Sequence, residues 1–358
     1  MTAAASRQVL VVEGNPDGHR LYYASLLATA ATAAGDTVTI GTTREAASSP
    51  EWSIHMEAVS PPAKVVFIDD YSLVSISALA SNLKADHVVV PDGDSFVYEL
   101  SRGKRWSAPG TVSALIMREK GQQSAVPGLT KLTTLVKAGL FFVASMHRGV
   151  EVRVLKSAPW RGFSMLPISR DPVTMTWHAV KDRQLLVPKG GFWFGVVGNV
   201  GHRKNLPLVA AAVASLNRSD LGLIVAGQVD SGVLELAEPH LQRIRRNGGS
   251  VEIVDRLLGE SEIDQVVAEV DCVVLAHSND GPSGILGKAV AAGTRIVAAG
   301  AATLRTDCRH IGSSAHWVAL TEQALADALA LATTKPRPLP RLVASPEDFT
   351  AELLGLTR

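Results

Sequence analysis

The sequence contains little cysteine and almost no excess of charge of either sign. Its 358 residues include two cysteines, Cys272 and Cys308, which form no CxxC motif or Cys/His cluster. The sequence therefore indicates neither a zinc site nor a disulfide framework and favours two reduced thiols. Lysine and arginine number 35 against 34 aspartates and glutamates, a net charge of +1. This balance gives no support for binding nucleic acid, which normally requires a basic surface.

Long apolar runs are also absent. No uncharged apolar stretch reaches about 18 residues, so no transmembrane helix is predicted, and residues 1–12 lack the pattern of a signal peptide. We expect a cytoplasmic protein and leave open a peripheral position at the inner face of a membrane. The hydrophobic fraction of 46% against 19% charged residues supports a sizeable core, and the length suits two domains.

Short apolar runs separated by helix-forming segments dominate the chain. Such runs are continuous rather than alternating, which favours parallel strands covered by helices on both faces. The predicted strands of the first half cover residues 7–14, 36–42, 63–70, 85–94 and 139–149. A Pro- and Gly-rich stretch, 159–191, separates them from a second strand–helix series. We therefore predict domains at 1–189 and 190–340, followed by a C-terminal helix within 341–358.

The loops after the strands of the second half carry the most specific pattern. "GVVGNVGHRKN" ends a strand with Arg203 and Lys204, and "DCVVLAHSNDGPSGILGKAVAAG" joins a strand to a helix through a glycine-rich turn. Lys204 stands at the start of a helix, where a bound anion is more favourable than a free cation. Arg203 and Lys204 together suit a diphosphate. The backbone of Gly281, Pro282, Ser283 and Gly284 would face an anion at the next helix N-terminus.

This order of segments resembles the C-terminal domain of the retaining glycosyltransferases of family 4, over roughly residues 192–300. The resemblance implies a GT-B fold, an α/β architecture of two doubly wound Rossmann-like domains facing across a cleft, with the last helix packing back on the first. It also implies a retaining, metal-independent transfer of sugar from a nucleotide sugar to a small-molecule, glycan or lipid-linked acceptor. The nucleotide sugar is a co-substrate, and no cofactor is predicted.

Aligning "AVAAG" with the family's "AMAAG" assigns a role to several residues. Asp280 falls on the first carboxylate of the family's E-x7-E element, which lies near the sugar hydroxyls. Lys288 falls on the second, which holds the nucleotide ribose; its ammonium can only donate hydrogen bonds. Asn199 stands where the family often has arginine. These two departures leave the donor nucleotide undefined.

The resemblance is weaker in the first half and rests on two segments. "FFVASMHRG" resembles a strand that ends in a histidine directed at the donor sugar, which is His147 here. "EGNPDGHR" resembles the glycine-rich first loop, which in the family lies against the donor phosphates and the acceptor, with Gly18 and His19 at the matching positions. In the predicted site Lys204 and Arg203 bind the diphosphate, Asp280 binds sugar hydroxyls and His147 orients the sugar.

Two alternatives remain open at this stage. One is another GT-B chemistry, such as a sugar epimerase or a pseudo-glycosyltransferase, with Lys288 as the sign of change. The other is a non-catalytic binding protein that retains the fold. The retained Asp280, Lys204 and His147 favour catalysis, whereas Asn199 and Lys288 favour an altered donor site.

Overall fold

The computed structural model describes residues 6–16, 19–57, 59–117, 129–175 and 186–356, with side chains from 136 onward in the helix that begins at 129. The chain divides into two compact units. The first takes in the described residues up to Lys156, Gly162–Arg170 and those from Pro346 on, and the second takes in Ser157–Arg161 and Asp171–Ser345.

The first unit is built on a parallel sheet that has seven strands within the described residues, in the order β3-β2-β1-β4-β5-β6-β7. The strands are β1 (Gln8–Val12), β2 (Thr37–Thr42), β3 (Lys64–Phe67), β4 (His87–Val90), β5 (Thr111–Ile116), β6 (Val150–Lys156) and β7 (Ile168–Arg170). The helices between them are α1 (Arg20–Ala33), α2 (Arg44–Ala47), α3 (Pro50–His55), α4 (Leu73–Asn82), α5 (Asp94–Ser101) and α6 (Leu129–Ser145).

The second unit repeats this plan with a parallel sheet whose described strands number six, in the order β10-β9-β8-β11-β12-β13. The strands are β8 (Phe192–Val197), β9 (Leu221–Ala226), β10 (Ser250–Val254), β11 (Cys272–His277), β12 (Arg295–Gly300) and β13 (Ala315–Val318). The helices are α7 (Leu206–Ser215), α8 (Ser231–Arg246), α9 (Glu260–Glu269), α10 (Gly284–Ala292), α11 (Ala302–Ile311) and α12 (Glu322–Thr334).

Each sheet reverses its winding at one pair of strands. β1 lies beside both β2 and β4, and β8 lies beside both β9 and β11. The chain therefore leaves β1 and β4, or β8 and β11, toward opposite sides of the sheet. This opens a crevice at the carboxyl ends of the two strands, which is where open α/β sheets bind ligands. The two switch points are the places to examine for function.

Apolar side chains on both faces of the strands explain why the helices cover both faces. All residues of β9 and β11 are buried, and two separate apolar clusters lie on the two sides of the second sheet. The first sheet is covered in the same way. Burial on both faces is the reason these strands read as continuous apolar runs in the sequence.

The predicted domain boundary lies at residue 189. In the structure the chain already belongs to the second unit from Asp171 on. Val173 belongs to the apolar core of that unit, and a Cβ on Gly287 of α10 would lie 2.6 Å from its Cγ2. Glycine at 287 thus lets the segment approach the helix closely. The carboxylate of Glu269 accepts hydrogen bonds from the amides of Leu186 and Val187 at 3.1 and 3.0 Å, which fixes the incoming chain.

The last helix, α13 (Pro346–Leu354), belongs to the first unit. The ring of Phe349 packs against Tyr23 of α1 with centroids 5.0 Å apart. The Nε2 atom of His87 lies 2.8 Å from the carbonyl oxygen of Leu353, and the Nδ1 atom lies 2.8 Å from the hydroxyl of Thr111. The buried imidazole therefore links α13 to β4 and β5.

One predicted strand is wrong. Residues 139–149 were expected to form a strand, but they hold the last turns of α6, which ends at Ser145, and a turn that leads into β6. The strands β5, β6, β7 and β13 had no predicted counterpart. No helix of the described residues has the length and apolar character needed to cross a bilayer.

Candidate anion-binding site

The loop after β8 is fixed against the loop after β11. Asn205, with the left-handed φ of 48°, donates from Nδ2 to the carbonyl of Ala276 at 2.9 Å. The amide of Ser278 donates to the carbonyl of Arg203 at 2.9 Å. These bonds hold the segment Gly198–Asn205 across the switch point of the second sheet.

Lys204 is a buried cation at this point. Its side chain lies in a 3-10 turn, His202–Lys204, and the residue is 6% exposed. The ammonium donates to the carbonyl of Val197, and no carboxylate of the described residues lies within ion-pair distance of it. Burial and the neighbouring Arg203 lower the pKa of Lys204 to about 7. A buried ammonium without a counter-ion favours binding of an anion.

Gly198 lies directly beside the ammonium. Its φ of +88° is one that side chains rarely adopt, and a Cβ there would lie 3.1 Å from the Nζ atom of Lys204. A side chain at position 198 would therefore crowd the Nζ atom of Lys204. Glycine is required here both for the backbone angle and for the approach to Nζ.

His277 ends β11 close to the same cation. The residue is 5% exposed, and its Nε2 atom is buried without a hydrogen-bond partner in the part of the chain that the structure describes. Burial, followed by the positive charges of Lys204 and Arg203, lowers the pKa of His277 to about 3. The imidazole is thus neutral at physiological pH and contributes an unused polar atom beside Lys204.

The predicted glycine-rich turn forms the N-terminus of α10. Ser283 caps this helix: its hydroxyl and its carbonyl accept from the amide of Leu286 at 3.4 and 3.1 Å. Pro282 has no amide hydrogen to offer. Over the described residues the amides of Gly284 and Ile285 have no hydrogen-bond acceptor. Together with the helix dipole, these two amides suit an anion.

Asp280 is held by the next helix. Its Oδ1 atom accepts from the amide of Thr303, in the first turn of α11, at 2.9 Å and lies 3.3 Å from the Thr303 hydroxyl. The same hydroxyl lies 3.3 Å from the amide of Gly281 and 3.2 Å from its carbonyl. The turn from Asp280 to Gly281 is therefore positioned by α11. Sequence reasoning did not identify Thr303.

Lys288 does not have the role predicted for it. It is 4% exposed and its ammonium pairs with Asp264, with Glu260 at 2.9 Å and with the carbonyl of Thr174 at 3.0 Å. Although burial lowers its pKa, the two carboxylates raise it above the ordinary value. The buried ammonium is held by two hydrogen bonds and an ion pair inside the second unit, so Lys288 is engaged by protein oxygens where the prediction has it hold a ribose.

His147 is also not placed where the prediction requires. It lies in the turn before β6, and its carbonyl accepts from the amide of Val150 at 3.2 Å. Because β6 runs parallel to β5, this turn is at the amino edge of the first sheet. The ligand-binding loops of such a sheet lie at the opposite, carboxyl edge. His147 is therefore corrected to a residue of the helix–strand connection.

The remaining predicted residues have simpler surroundings. Asn199 and Arg203 are exposed within the loop after β8. His19 precedes α1 and does not cap that helix with its side chain, and its ring lies 6.3 Å from that of Tyr23. Gly18 lies outside the described residues. The structure thus groups Lys204, Arg203, Asp280 and the start of α10 in one unit, and it leaves the contributions of His19 and Asn199 as predictions.

No protein-family model matches the chain, and no curated protein matches it. Solved structures do. HepE of Anabaena in complex with UDP and glucose is 12% identical with a TM-score of 0.66, over 97% of this chain and 95% of that chain. Sucrose-phosphate synthase of Thermosynechococcus elongatus is 14% identical with a TM-score of 0.64, over 97% and 95%.

A third likeness is to UDP-GlcNAc 2-epimerase of Methanocaldococcus jannaschii, at 11% identity and a TM-score of 0.55, over 96% of this chain and 98% of that chain. At such low identity these similarities concern the fold. They include both transferases and an epimerase, so the fold alone does not select the reaction. The chain has the α/β architecture of the GT-B fold, with two Rossmann-like units, as the sequence predicted.

Proposed function

We propose that the chain is a glycosyltransferase that takes a sugar from a nucleoside-diphosphate sugar. The observation that carries this proposal is Lys204, a buried ammonium at the switch point of the second sheet with no carboxylate beside it among the described residues. A diphosphate is an anion that would supply the missing charge. The UDP-bound state of HepE, which has the same fold, is consistent with this ligand class.

Each group of the site has a role in this proposal. Lys204 neutralises the diphosphate, and Arg203 reaches it from the exposed loop. The amides of Gly284 and Ile285 donate to a phosphate oxygen. Asp280, oriented by Thr303, accepts hydrogen bonds from hydroxyl groups of the donor sugar. The stabilised diphosphate is a better leaving group, and the charge that develops on it in the transition state is met by groups already in place.

The proposal extends to the stereochemistry and to the metal requirement. We infer that the sugar keeps its anomeric configuration, with the departing phosphate taking the proton of the acceptor hydroxyl. We further infer that Lys204 and Arg203 serve in place of a metal ion. Because Lys288 is engaged by Glu260 and Asp264, it acts in folding of the donor unit and not in nucleotide selection.

The first test measures binding of UDP and UDP-glucose by calorimetry. We expect the wild-type protein to bind, and Lys204→Ala to lose roughly 10- to 100-fold in affinity, since a hydrogen bond to a charged group contributes about 1.5–3 kcal/mol. Lys335→Ala is the matched control, because Lys335 is an exposed lysine of the same unit. Equal binding by wild type and Lys204→Ala would remove the basis of the proposal.

A second measurement separates transfer from epimerisation. NMR spectra of the protein with UDP-glucose or UDP-GlcNAc follow the sugar signals over time, with and without a chelator. Transfer releases UDP and gives a new glycoside whose anomeric coupling reports retention, whereas an epimerase changes the coupling pattern of an intact nucleotide sugar. Binding without any change would favour the non-catalytic alternative.

A further inference from the structure

The first sheet ends at β3 in an open edge. In the order of the described strands β3 is outermost and has only β2 beside it. Three of its four residues are exposed, and they include Val65 at 41% and Phe67 at 46%. A free strand edge presents N–H and C=O groups that can pair with another strand, and most proteins cover or charge such an edge. The apolar side chains at this edge therefore make β3 a candidate interaction surface.

The hydrogen bonding of the next residue shows which backbone groups of β3 face outward. The amide of Ile68 donates to the carbonyl of Thr42, at the end of β2, at 2.9 Å. Successive residues of a strand direct their N–H and C=O groups to opposite sides. Val66 therefore also faces β2, whereas Val65 and Phe67 direct their amides and carbonyls away from the sheet.

These outward groups are complementary to those of a second copy of the strand. In antiparallel pairing about a two-fold axis at Val66, Val65 of each copy lies opposite Phe67 of the other. Each of these two pairs exchanges two hydrogen bonds, and the two Val66 residues form the non-hydrogen-bonded pair between them. An axis at Val65 or at Phe67 would instead place one of the two residues opposite a position outside β3. The backbone thus selects one register.

The side chains at the edge favour the same register. Val65 and Phe67 lie on one face of the strand, because side chains two residues apart point the same way. Pairing about Val66 then brings four apolar side chains together, as two contacts between an aromatic and a β-branched residue, which stabilise neighbouring strands. The Cζ atom of Arg44 lies 4.8 Å from the centre of the Phe67 ring, so the ring is already positioned by its own chain.

Charges at the two ends of β3 favour the antiparallel direction. Lys64 begins the strand, and the exposed Asp69 and Asp70 follow shortly after its end. Antiparallel pairing places the lysine of one copy at the acidic end of the other. Parallel pairing would place like charges side by side, which is unfavourable. The strand ends therefore favour a closed pair of copies.

We propose that β3 is the interface of a two-fold dimer, in which the first sheet of one copy continues into the first sheet of the second. The occupant of the edge is a second copy because the backbone groups, the apolar side chains and the charges of β3 are all complementary to themselves. The strand is short, so we expect a weak dimer with a dissociation constant on the order of 100 µM. This inference is independent of the proposed function, whose site lies in the second unit.

Sedimentation velocity of the full chain, at concentrations up to about 500 µM, measures the association. We expect a monomer–dimer equilibrium for the wild type and only monomer for Val65→Pro. Proline removes an outward amide and is tolerated in an edge strand where the amide faces solvent. Val65→Lys changes only an exposed side chain, so it carries the test if Val65→Pro does not fold, and it should weaken the dimer about tenfold or more.

Val143→Lys is the matched control for Val65→Lys. Val143 is a valine of the same unit with a similar exposure, 49%. It lies in α6, which leads into β6 near the other end of the strand order. We expect Val143→Lys to dimerise as the wild type does. A dimer that is lost in Val143→Lys and kept in Val65→Lys would contradict the assignment to β3.

Cross-linking tests the register. Pairing about Val66 places the two Cα atoms of residue 66 about 4.5 Å apart, which a disulfide can span. The two Cα atoms of residue 64 would be roughly 14 Å apart, which is too far. We expect oxidation by copper–phenanthroline to link Val66→Cys into a covalent dimer and to leave Lys64→Cys unlinked. The native Cys272 and Cys308 are buried, so the wild type should also stay unlinked.

A charge exchange tests whether the occupant is a second copy. Lys64→Glu should weaken the dimer, and the double variant Lys64→Glu/Asp69→Lys should restore it, because both partners then carry the exchanged charges. Three results would overturn the inference: a monomer at every concentration, a dimer that folded Val65→Pro or Val65→Lys leaves intact, or equal cross-linking of Val66→Cys and Lys64→Cys.

Discussion

Replacement of Lys204 by methionine is expected to stabilise the protein while it removes UDP binding. The pKa of Lys204 falls from 10.5 to about 7 on folding. At about 1.36 kcal/mol per pKa unit, burial of the charged lysine costs about 5 kcal/mol of folding free energy. Methionine has a similar shape and no charge, so this cost disappears. The hydrogen bond to Val197 is lost with it, which costs about 1 kcal/mol.

The sign and the pH window of this effect follow from the direction of the shift. Because the native state binds this proton less well than the unfolded state, the cost is complete below about pH 7 and declines as the pH rises toward 10.5. We therefore expect Lys204→Met to gain about 4 kcal/mol at pH 6 and only about 1 kcal/mol at pH 9.

Urea denaturation followed by tryptophan fluorescence measures the gain at each pH, and Lys335→Met is the control. The exposed Lys335 should give no pH-dependent difference. A Lys204→Met variant that is no more stable than wild type at pH 6, or whose gain does not shrink toward pH 9, would refute the conclusion that the ammonium is buried without a counter-ion. Calorimetry on the same variant should show the loss of UDP binding.

Three further predictions concern other parts of the chain. Gly198→Ala should lower the free energy of unfolding by about 1–2 kcal/mol in urea denaturation, because φ is +88°, and should weaken UDP binding in calorimetry. Gly201→Ala is the control and should change neither, because its φ is −91° and the space around its Cβ is open. Lys288→Met should cost about 3–5 kcal/mol in urea denaturation because it takes the ammonium away from the buried Asp264 and from Glu260, and adding Asp264→Leu should recover part of that. Burial lowers the pKa of His87. The free energy of unfolding should therefore be at its full value above about pH 6.5 and should fall as the pH drops below that value, with faster hydrogen exchange in α13. His87→Gln should remove this fall.

The second unit was the more predictable half from sequence. Strands β8, β9, β11 and β12 are largely buried on both faces, so each appears in the sequence as a nearly continuous apolar run. The step from β11 to α10 could be placed because Ser283 and Gly293 are good helix-terminating residues at the two ends: the first caps by its hydroxyl, and the second takes φ of +65°. Both signals depend on residues close together in the chain, so they can be recognised from the sequence alone.

The errors occurred where packing between distant segments decides the structure. The run from Gly139 to Val143 is apolar enough for a strand or for a buried helix, and periodicity over so few residues does not separate the two. The fate of Lys288 depends on α9, whose Glu260 and Asp264 precede it by 28 and 24 positions in the printed numbering. His277 was given no role from the sequence, and only its burial identifies it. The predicted fold is confirmed, whereas the roles of Asp280, Arg203, Asn199 and His19 stay predictions.

The return of α13 to the first unit has a consequence for the order in which the protein matures on the ribosome. His87 is made early, yet the carbonyl of Leu353 that meets its imidazole is made some 266 residues later. At typical rates of about 5–20 residues per second, that interval is on the order of tens of seconds. Until then the surface of α1 around Tyr23 lacks Phe349 and is an apolar face without its cover. The first unit is therefore begun first and completed last. Throughout synthesis of the second unit this apolar face of α1 is exposed on the nascent chain, where chaperones can bind it.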